Sequence, residues 1–237
     1  MRNALADKLW NLAGGALDEV FLLPPRVLGR FAGKRKASRE TIEKEIRFLL
    51  DHGYVDRPET FFNLPERAPD HVRVSSEPYG DGLLEEYAFK SPYEVKNPHV
   101  KARYERHENN RTARLFRFTH NGRPRNTVLC LHGFLLGDRA KAQQMFKVER
   151  TYARGLDVAL YVAPFHGVRS DGTFASQRLA LRPEDPAFTC EFFGQAVTDL
   201  AACLLLLKEL GAPRTGLIGA SLGGYLSALY TCLASDH

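Results

Sequence analysis

Three short runs of almost wholly apolar residues limit what this chain can fold into. They cover residues 127–131, 157–163 and 215–219, and segments with helical spacing lie between them. Strands that are apolar on both faces belong in a parallel sheet that helices cover on both sides. The alternation of strand, helix and strand therefore predicts an α/β fold with a doubly wound, mostly parallel sheet.

Two more strands are predicted before these runs. Residues 83–90 and 113–119 alternate in polarity, as half-buried strands do. Apolar residues three and four apart predict helices over 138–154 and 192–210, and a further helical segment covers 224–234. The sheet and its helices thus account for the chain from about residue 83 onward.

The sequence predicts three regions. Residues 1–55 are an N-terminal helical extension, residues 56–82 are a connecting segment rich in proline and turn residues, and residues 83–237 are the α/β core. The connecting segment is expected to contain little regular structure.

The N-terminal extension allows two interpretations. An apolar helical stripe is followed by a basic cluster at 34–36, which is typical of an amphipathic anchor that contacts anionic lipid. The favoured interpretation is a helix packed on the protein's own core, because its polar face mixes acids with bases. The stripe consists of Leu5, Leu9, Leu12, Ala16 and Val20.

Composition excludes several classes of function. The chain has 237 residues and a net charge of +5, which is too diffuse to indicate nucleic-acid binding. The longest apolar run, residues 201–207, is far shorter than the roughly 18 residues of a membrane span.

The cysteines predict neither a metal site nor a disulfide framework. They lack zinc-ligand spacing, and three of them lie in apolar segments, so we expect buried thiols of a reducing compartment. Together with the lack of a recognisable secretory signal, this predicts a cytoplasmic protein, and the sequence indicates no cofactor. The cysteines are Cys130, Cys190, Cys203 and Cys232.

The pentapeptide Gly219-Ala220-Ser221-Leu222-Gly223 carries the most chemical information. It has the form G-x-S-x-G and lies between a predicted strand and a predicted helix, which is the context that gives this motif its meaning. A turn this tight requires a strained backbone at Ser221, and Gly219 and Gly223 are needed because a Cβ at either position would collide with neighbouring backbone. The turn is expected to present the Ser221 hydroxyl at its tip.

A second motif, Leu131-His132-Gly133-Phe134, follows an earlier strand. Both motifs lie at the carboxyl ends of parallel strands, so they are expected to meet at one edge of the sheet. A backbone N–H group from this loop could then pair with that of Leu222 to bind an oxyanion.

From about residue 83 onward the chain resembles the α/β-hydrolase superfamily. The resemblance rests on His132-Gly133-Phe134, on the segment 163–167 and on the turn 219–223. It implies a serine hydrolase of carboxylic esters or related acyl compounds, with Ser221 as the nucleophile and a small ester or acyl compound as the substrate. It also implies that the N–H groups of Phe134 and Leu222 bind the oxyanion, while His132 and Gly133 shape the loop. It does not identify that substrate.

The chain departs from this family after the nucleophile. In the family an acid and then a histidine follow the serine, whereas only 237 − 221 = 16 residues follow Ser221 here. Asp236 and His237 are expected at the far end of the last helix, where they cannot act on the serine. The sheet is therefore expected to be incomplete at its C-terminal side, as in part of a longer protein of about 300 or more residues.

Three alternatives remain open. The domain could be a non-catalytic α/β-hydrolase-like binding domain, and His132 or His166 could serve as the base instead of shaping loops. The stretch 168–191 could form an acyl pocket with neighbouring Phe192, or its aromatic residues could pack on the core. The candidate pocket residues are Phe174, Leu179, Phe188 and Phe192.

Overall fold

A six-stranded sheet lies at the centre of the part of the chain that the computed structural model describes, which is residues 38–173, 176, 178–182 and 184–234. The strand order is β1-β2-β3-β5-β4-β6. The strands are β1 (His71–Tyr79), β2 (Gly82–Lys90), β3 (Thr112–Thr119), β4 (Thr127–Leu131), β5 (Asp157–Tyr161) and β6 (Thr215–Gly219).

Four of these six strands run in the same direction. The pairs β1–β2, β2–β3 and β3–β5 are antiparallel, whereas β5–β4 and β4–β6 are parallel, so β2, β5, β4 and β6 share one direction. The prediction of a mostly parallel α/β sheet is confirmed, with the antiparallel pairs confined to the side formed by β1, β2 and β3.

Helices cover both faces of this sheet. The described helices are α1 (Arg39–Asp51), α2 (Pro98–Glu105), α3 (Arg139–Met145), α4 (Val148–Tyr152), α5 (Pro186–Glu209) and α6 (Leu222–Ala234). The predicted helix over 138–154 is two short helices, because Lys147 adopts a left-handed backbone with φ +50° between them. The long helix begins at Pro186, six residues before its predicted start.

Strands β2, β3, β4 and β5 contribute to two hydrophobic cores through the alternation of their side chains. Odd-numbered residues such as Tyr87 and Leu115 face the core that α5 and α6 cover. Even-numbered residues such as Phe116 and Phe118 face the smaller core, to which α3 and α4 contribute. This two-sided burial explains why the central strands are apolar throughout.

Strand β1 and helix α2 were not predicted from the sequence. Strand β1 lies within the segment 56–82, where little regular structure was expected. The sequence pattern did not predict it because its side chains are mostly exposed and backbone pairing to β2 holds it. Helix α2 has only Val100 and Tyr104 buried, too narrow a stripe to detect in the sequence. Asn97 caps this helix by accepting a hydrogen bond from the His99 N–H at 3.1 Å.

Some predicted features lie outside the described residues. These are the helical stripe within residues 5–20, the basic cluster at 34–36, and Asp236 and His237. The lipid-contact interpretation of residues 1–36 therefore stays a prediction.

One helix of the described residues, α5, is long and apolar enough to cross a membrane by length and composition. However, 78% of its most apolar window is buried within the protein. Its apolar character is thus explained by packing in the larger core.

Asp199 of α5 forms a buried ion pair with Arg169, which follows β5. The Arg169 guanidinium lies 2.7 Å from the Asp199 carboxylate, and neither side chain is exposed to solvent. Asp199 also accepts a hydrogen bond from the Ser91 hydroxyl at 2.6 Å, and Arg169 donates to the carbonyls of Val162 and Asn110. These bonds join α5 to the segments that follow β2 and β5.

Replacing Asp199 by alanine should destabilise the fold severely. It leaves the Arg169 charge buried without its partner, which typically costs about 3–5 kcal/mol of unfolding free energy. Glu43→Ala removes the exposed pair with Arg39 and should change the free energy by less than about 1 kcal/mol. Urea unfolding measures both values, and losses of equal size would contradict this account.

Candidate active site

Ser221 occupies the turn between β6 and α6. Its φ is +50°, a left-handed conformation that is uncommon for residues other than glycine, and the residue is exposed. The turn is held by hydrogen bonds from the Gly223 N–H to the Ala220 carbonyl at 2.9 Å and from the Tyr225 N–H to the Ser221 carbonyl at 3.0 Å. The backbone strain predicted at this serine is present in the structure.

The glycines around Ser221 permit a very close approach between the helix and the strands. A Cβ at Gly219 would lie 2.3 Å from the Gly223 carbonyl carbon, and a Cβ at Gly223 would lie 2.0 Å from the Leu131 carbonyl oxygen. Both separations are far below any real contact distance. Glycine is therefore required at these two positions by the packing of α6 against β6 and against the end of β4.

The loop after β4 lies beside the serine. The Ala220 N–H donates to the Leu131 carbonyl at 3.0 Å, and a Cβ built on Gly133 would lie 3.6 Å from the Ser221 Cβ. The parallel pairing of β4 and β6 brings both loops to the same edge of the sheet. Gly133 is thus adjacent to Ser221, and the loop that carries His132 and Phe134 meets the serine turn at one edge of the sheet, as the order of the motifs predicts.

Two backbone N–H groups of these loops donate no backbone hydrogen bond within the described part of the chain. Among the described residues, no backbone carbonyl accepts a hydrogen bond from the N–H of Phe134 or of Leu222. Leu222 is the first residue of α6, so its N–H belongs to the positive end of the helix dipole.

His132 connects the neighbouring loops and has no nitrogen left for the serine. Its Nδ1–H donates to the Gly133 carbonyl at 2.8 Å, and its Nε2 accepts from the Ala163 N–H at 3.1 Å. Burial lowers its pKa to about 4, so the ring is neutral at physiological pH.

His166 is also a buried, neutral imidazole. Its Nδ1–H donates to the Pro164 carbonyl at 2.8 Å, and burial together with nearby His132 lowers its pKa to about 3. The two rings lie 5.0 Å apart, and the Phe134 ring packs edge-on against His166 at 5.7 Å. A ring with such a low pKa is a weak proton acceptor.

The Ser221 hydroxyl has no catalytic partner within the described part of the chain. No side chain from residues 38–173, 176, 178–182 or 184–234 hydrogen-bonds to it. The same residues contain no group of three histidine, cysteine or acidic side chains that could hold a metal ion.

The predicted aromatic wall of an acyl pocket is part of the core. Phe188 and Phe192 are 1% and 0% exposed, and Leu179 packs against the same core. Phe174 lies outside the described residues. Of the two interpretations of 168–191, core packing therefore describes these side chains.

Comparison with known proteins gave matches among solved structures only. No family model and no curated protein matches the chain. A protein of Bacteroides fragilis, provisionally assigned as an acetyl xylan esterase, superposes with a TM-score of 0.50 and 17% identity, covering 78% of this chain and 50% of that one. The chain has an α/β-hydrolase-like fold.

Two further esterases show weaker likeness to this α/β-hydrolase-like chain. A cold-adapted esterase from an Arctic intertidal metagenomic library has a TM-score of 0.45 and 22% identity, covering 68% of this chain and 60% of that one. Acetyl xylan esterase 1 of a Thermoanaerobacterium species has a TM-score of 0.46 and 16% identity, with coverages of 89% and 59%. The chain thus spans about 50 to 60% of the length of these structures.

The groups that support the α/β-hydrolase-like site were largely missed in the sequence. Asn110 accepts from the Phe165 N–H at 2.9 Å and thereby holds a residue with φ +61° in the loop beside His132. A Cβ at Gly137 would lie 2.4 Å from the His166 Cβ, so the two loops pack closely. One feature of the sequence could have pointed to this buried network. Asp199 is a carboxylate inside a strongly apolar helix, which implies a buried partner for its charge.

The two adjacent glycines of α6 should respond oppositely to alanine. Gly223→Ala forces a Cβ against the Leu131 carbonyl and should cost about 2 kcal/mol or more of unfolding free energy. The nearest atom to a Cβ at Gly224 is 3.4 Å away, so Gly224→Ala should be neutral or stabilise the helix by up to about 1 kcal/mol. Thermal and urea unfolding test the pair, and equal tolerance of both would contradict the close approach.

The buried histidines should make the fold acid-sensitive. As pH falls below 6.5, the unfolded chain binds a proton that folded His132 cannot bind until pH is about 4. The contribution of neutral His132 to the free energy of unfolding is therefore complete above pH 6.5. It is lost between pH 6.5 and 4, which lowers that free energy by about 3 kcal/mol. Urea unfolding at several pH values should show that the unfolding free energy of His132→Asn depends less steeply on pH than that of the wild type. An unchanged pH dependence would refute the assignment.

Proposed function

We propose that the protein is a serine hydrolase of carboxylic esters or related acyl compounds, in which Ser221 forms an acyl-enzyme. The observation that carries the proposal is the exposed serine with φ +50° at the start of α6, beside the loop that follows β4. Such a strained nucleophile turn occurs where a hydroxyl must be presented to a substrate. The esterases among the structural neighbours support an ester as substrate.

The proposed chemistry assigns one role to each group. The Ser221 Oγ attacks the carbonyl carbon, while the N–H groups of Phe134 and Leu222 stabilise the oxyanion of the tetrahedral intermediate. The serine proton passes to a base and then to the leaving alcohol as the acyl–oxygen bond breaks. Water then hydrolyses the acyl-enzyme and regenerates the serine.

The base and acid of this mechanism are assigned outside the described residues. The nitrogens of His132 are both engaged, and His166 has a pKa lowered to about 3, so neither is a suitable base. His132 and Gly133 instead shape the loop that carries Phe134. Gly219 and Gly223 permit the turn.

A non-catalytic binding domain is the second candidate. It is favoured by the observation that no described side chain hydrogen-bonds to the Ser221 hydroxyl. In that case the region around Ser221 would bind an acyl compound without cleaving it.

A fluorophosphonate probe separates the two candidates. A hydrolase should be labelled at Ser221, and Ser221→Ala should lower the labelling rate at least about 100-fold because no nucleophile remains. Ser227→Ala is the matched control, since this serine lies on the same helix and its hydroxyl donates to the Gly223 carbonyl. Mass spectrometry of the labelled peptide identifies the site.

Imidazole in solution provides a second arm of this experiment. If Ser221 is correctly oriented and lacks only its base, the labelling rate should rise with imidazole concentration in the wild type and in Ser227→Ala. No rise should occur in Ser221→Ala. Failure to label Ser221 with or without imidazole would favour the non-catalytic domain.

A further inference from the structure

An apolar pocket of about 280 Å³ lies beside α6, apart from the residues predicted to wall an acyl site. Its walls come from α1, from the short helix Pro58–Phe61, from α5 and from α6, and none of the side chains that line it is charged. The residues that matter below are Phe62, Cys190, Phe193, Tyr225 and Leu229.

The pocket lies on the side of α6 that leads to the serine. Tyr225 and Leu229 are four residues apart and share one face of α6. The hydrogen bond from the Tyr225 N–H to the Ser221 carbonyl places Tyr225 one turn beyond the serine. Each step is about 6 Å along the axis, so Leu229 lies about 12 Å below the serine.

The neighbouring wall of the pocket reaches the same height as the serine. Helix α5 leads into β6 and α6 leaves it, so both helices run opposite to β6 and parallel to each other. The rings of Phe193 on α5 and Tyr225 on α6 lie 5.2 Å apart, so these two residues are at the same level along the two helices. Cys190, about one turn before Phe193, therefore lies near the level of Ser221.

We propose that this pocket binds the acyl chain of the substrate, as a straight aliphatic chain of medium length whose carbonyl lies at Ser221. The uncharged lining selects a hydrocarbon over a sugar or a charged group. An acetyl group would leave most of the pocket empty, whereas a volume of about 280 Å³ accommodates on the order of eight groups the size of a water molecule. The inference rests on the proposed ester hydrolase function.

Binding of a series of fatty acids to the full chain tests the pocket without requiring turnover. Isothermal titration with butyrate, hexanoate, octanoate and dodecanoate should show affinity rising about two- to fourfold per methylene, because each methylene leaves water. The rise should end near octanoate, where the pocket is full. Equal affinity for butyrate and octanoate would overturn the proposal.

Two tryptophan variants of α6 provide a matched comparison. Leu229→Trp fills the floor of the pocket and should remove the gain between hexanoate and octanoate. Ala228→Trp inserts the same side chain at the exposed neighbouring position outside the lining and should keep the wild-type series. Circular dichroism verifies that both variants are folded, and equal effects of both would overturn the assignment.

Thiol chemistry gives a readout that needs no core substitution. Cys190 is partly exposed and lines the pocket, whereas Cys130 and Cys203 are buried and Cys232 is exposed. In Cys232→Ser, octanoate should slow alkylation of Cys190 by N-ethylmaleimide at least about threefold, and butyrate should not. Equal rates with and without octanoate would count against the pocket.

Failure of this inference differs from failure of the proposed function. Labelling of Ser221 by a fluorophosphonate with no chain-length dependence would remove the acyl pocket and leave the hydrolase. A chain-length series without labelling would remove the hydrolase and with it the acyl assignment, since the pocket would then bind the chain for another purpose.

Discussion

The contact between the first turn of α6 and the ends of β4 and β6 is the constraint on which the site depends. Backbone meets backbone there, with no room for a Cβ at Gly219 or Gly223. Ser221, with φ +50°, lies in the turn that this close packing encloses. The same contact places the serine beside the loop of Phe134.

Buried polar groups give the surrounding loops their shape. His132 bridges its own loop and the loop after β5, and Asn110 holds Phe165 in a left-handed conformation. Beneath them, the Arg169–Asp199 pair is fully buried, which is costly unless every charge finds partners. These hydrogen bonds join the loops beside Ser221 to one another and to α5.

In the proposed function, recognition is divided between the serine turn and the apolar pocket. The N–H groups of Phe134 and Leu222 would offer polar contacts to a carbonyl at Ser221, and the pocket would offer a mostly apolar surface. An acyl compound presents the same two parts in the same order. Strand β6 lies at the edge of the sheet of the described residues, with Ile218 51% exposed, so the site is located at the rim of the sheet.

The central strands, the long helix and the Gly219–Gly223 turn could all be predicted from local sequence patterns. Burial on both faces and tight turns leave local patterns, namely apolar runs, helical spacing and glycines at fixed positions. Strand β1 and helix α2 were missed because β1 is held by backbone pairing and α2 buries only two side chains.

The support of the site and the position of the apolar pocket could not be predicted, because both depend on tertiary contacts. The engagement of both His132 nitrogens, the partner of Asp199 and the pocket along α6 depend on residues far apart in sequence that meet through the strand order. A single sequence records which residues are present, whereas these contacts arise from how the sheet brings their elements together. Local patterns therefore predicted the elements, and long-range packing decided the chemistry available to them.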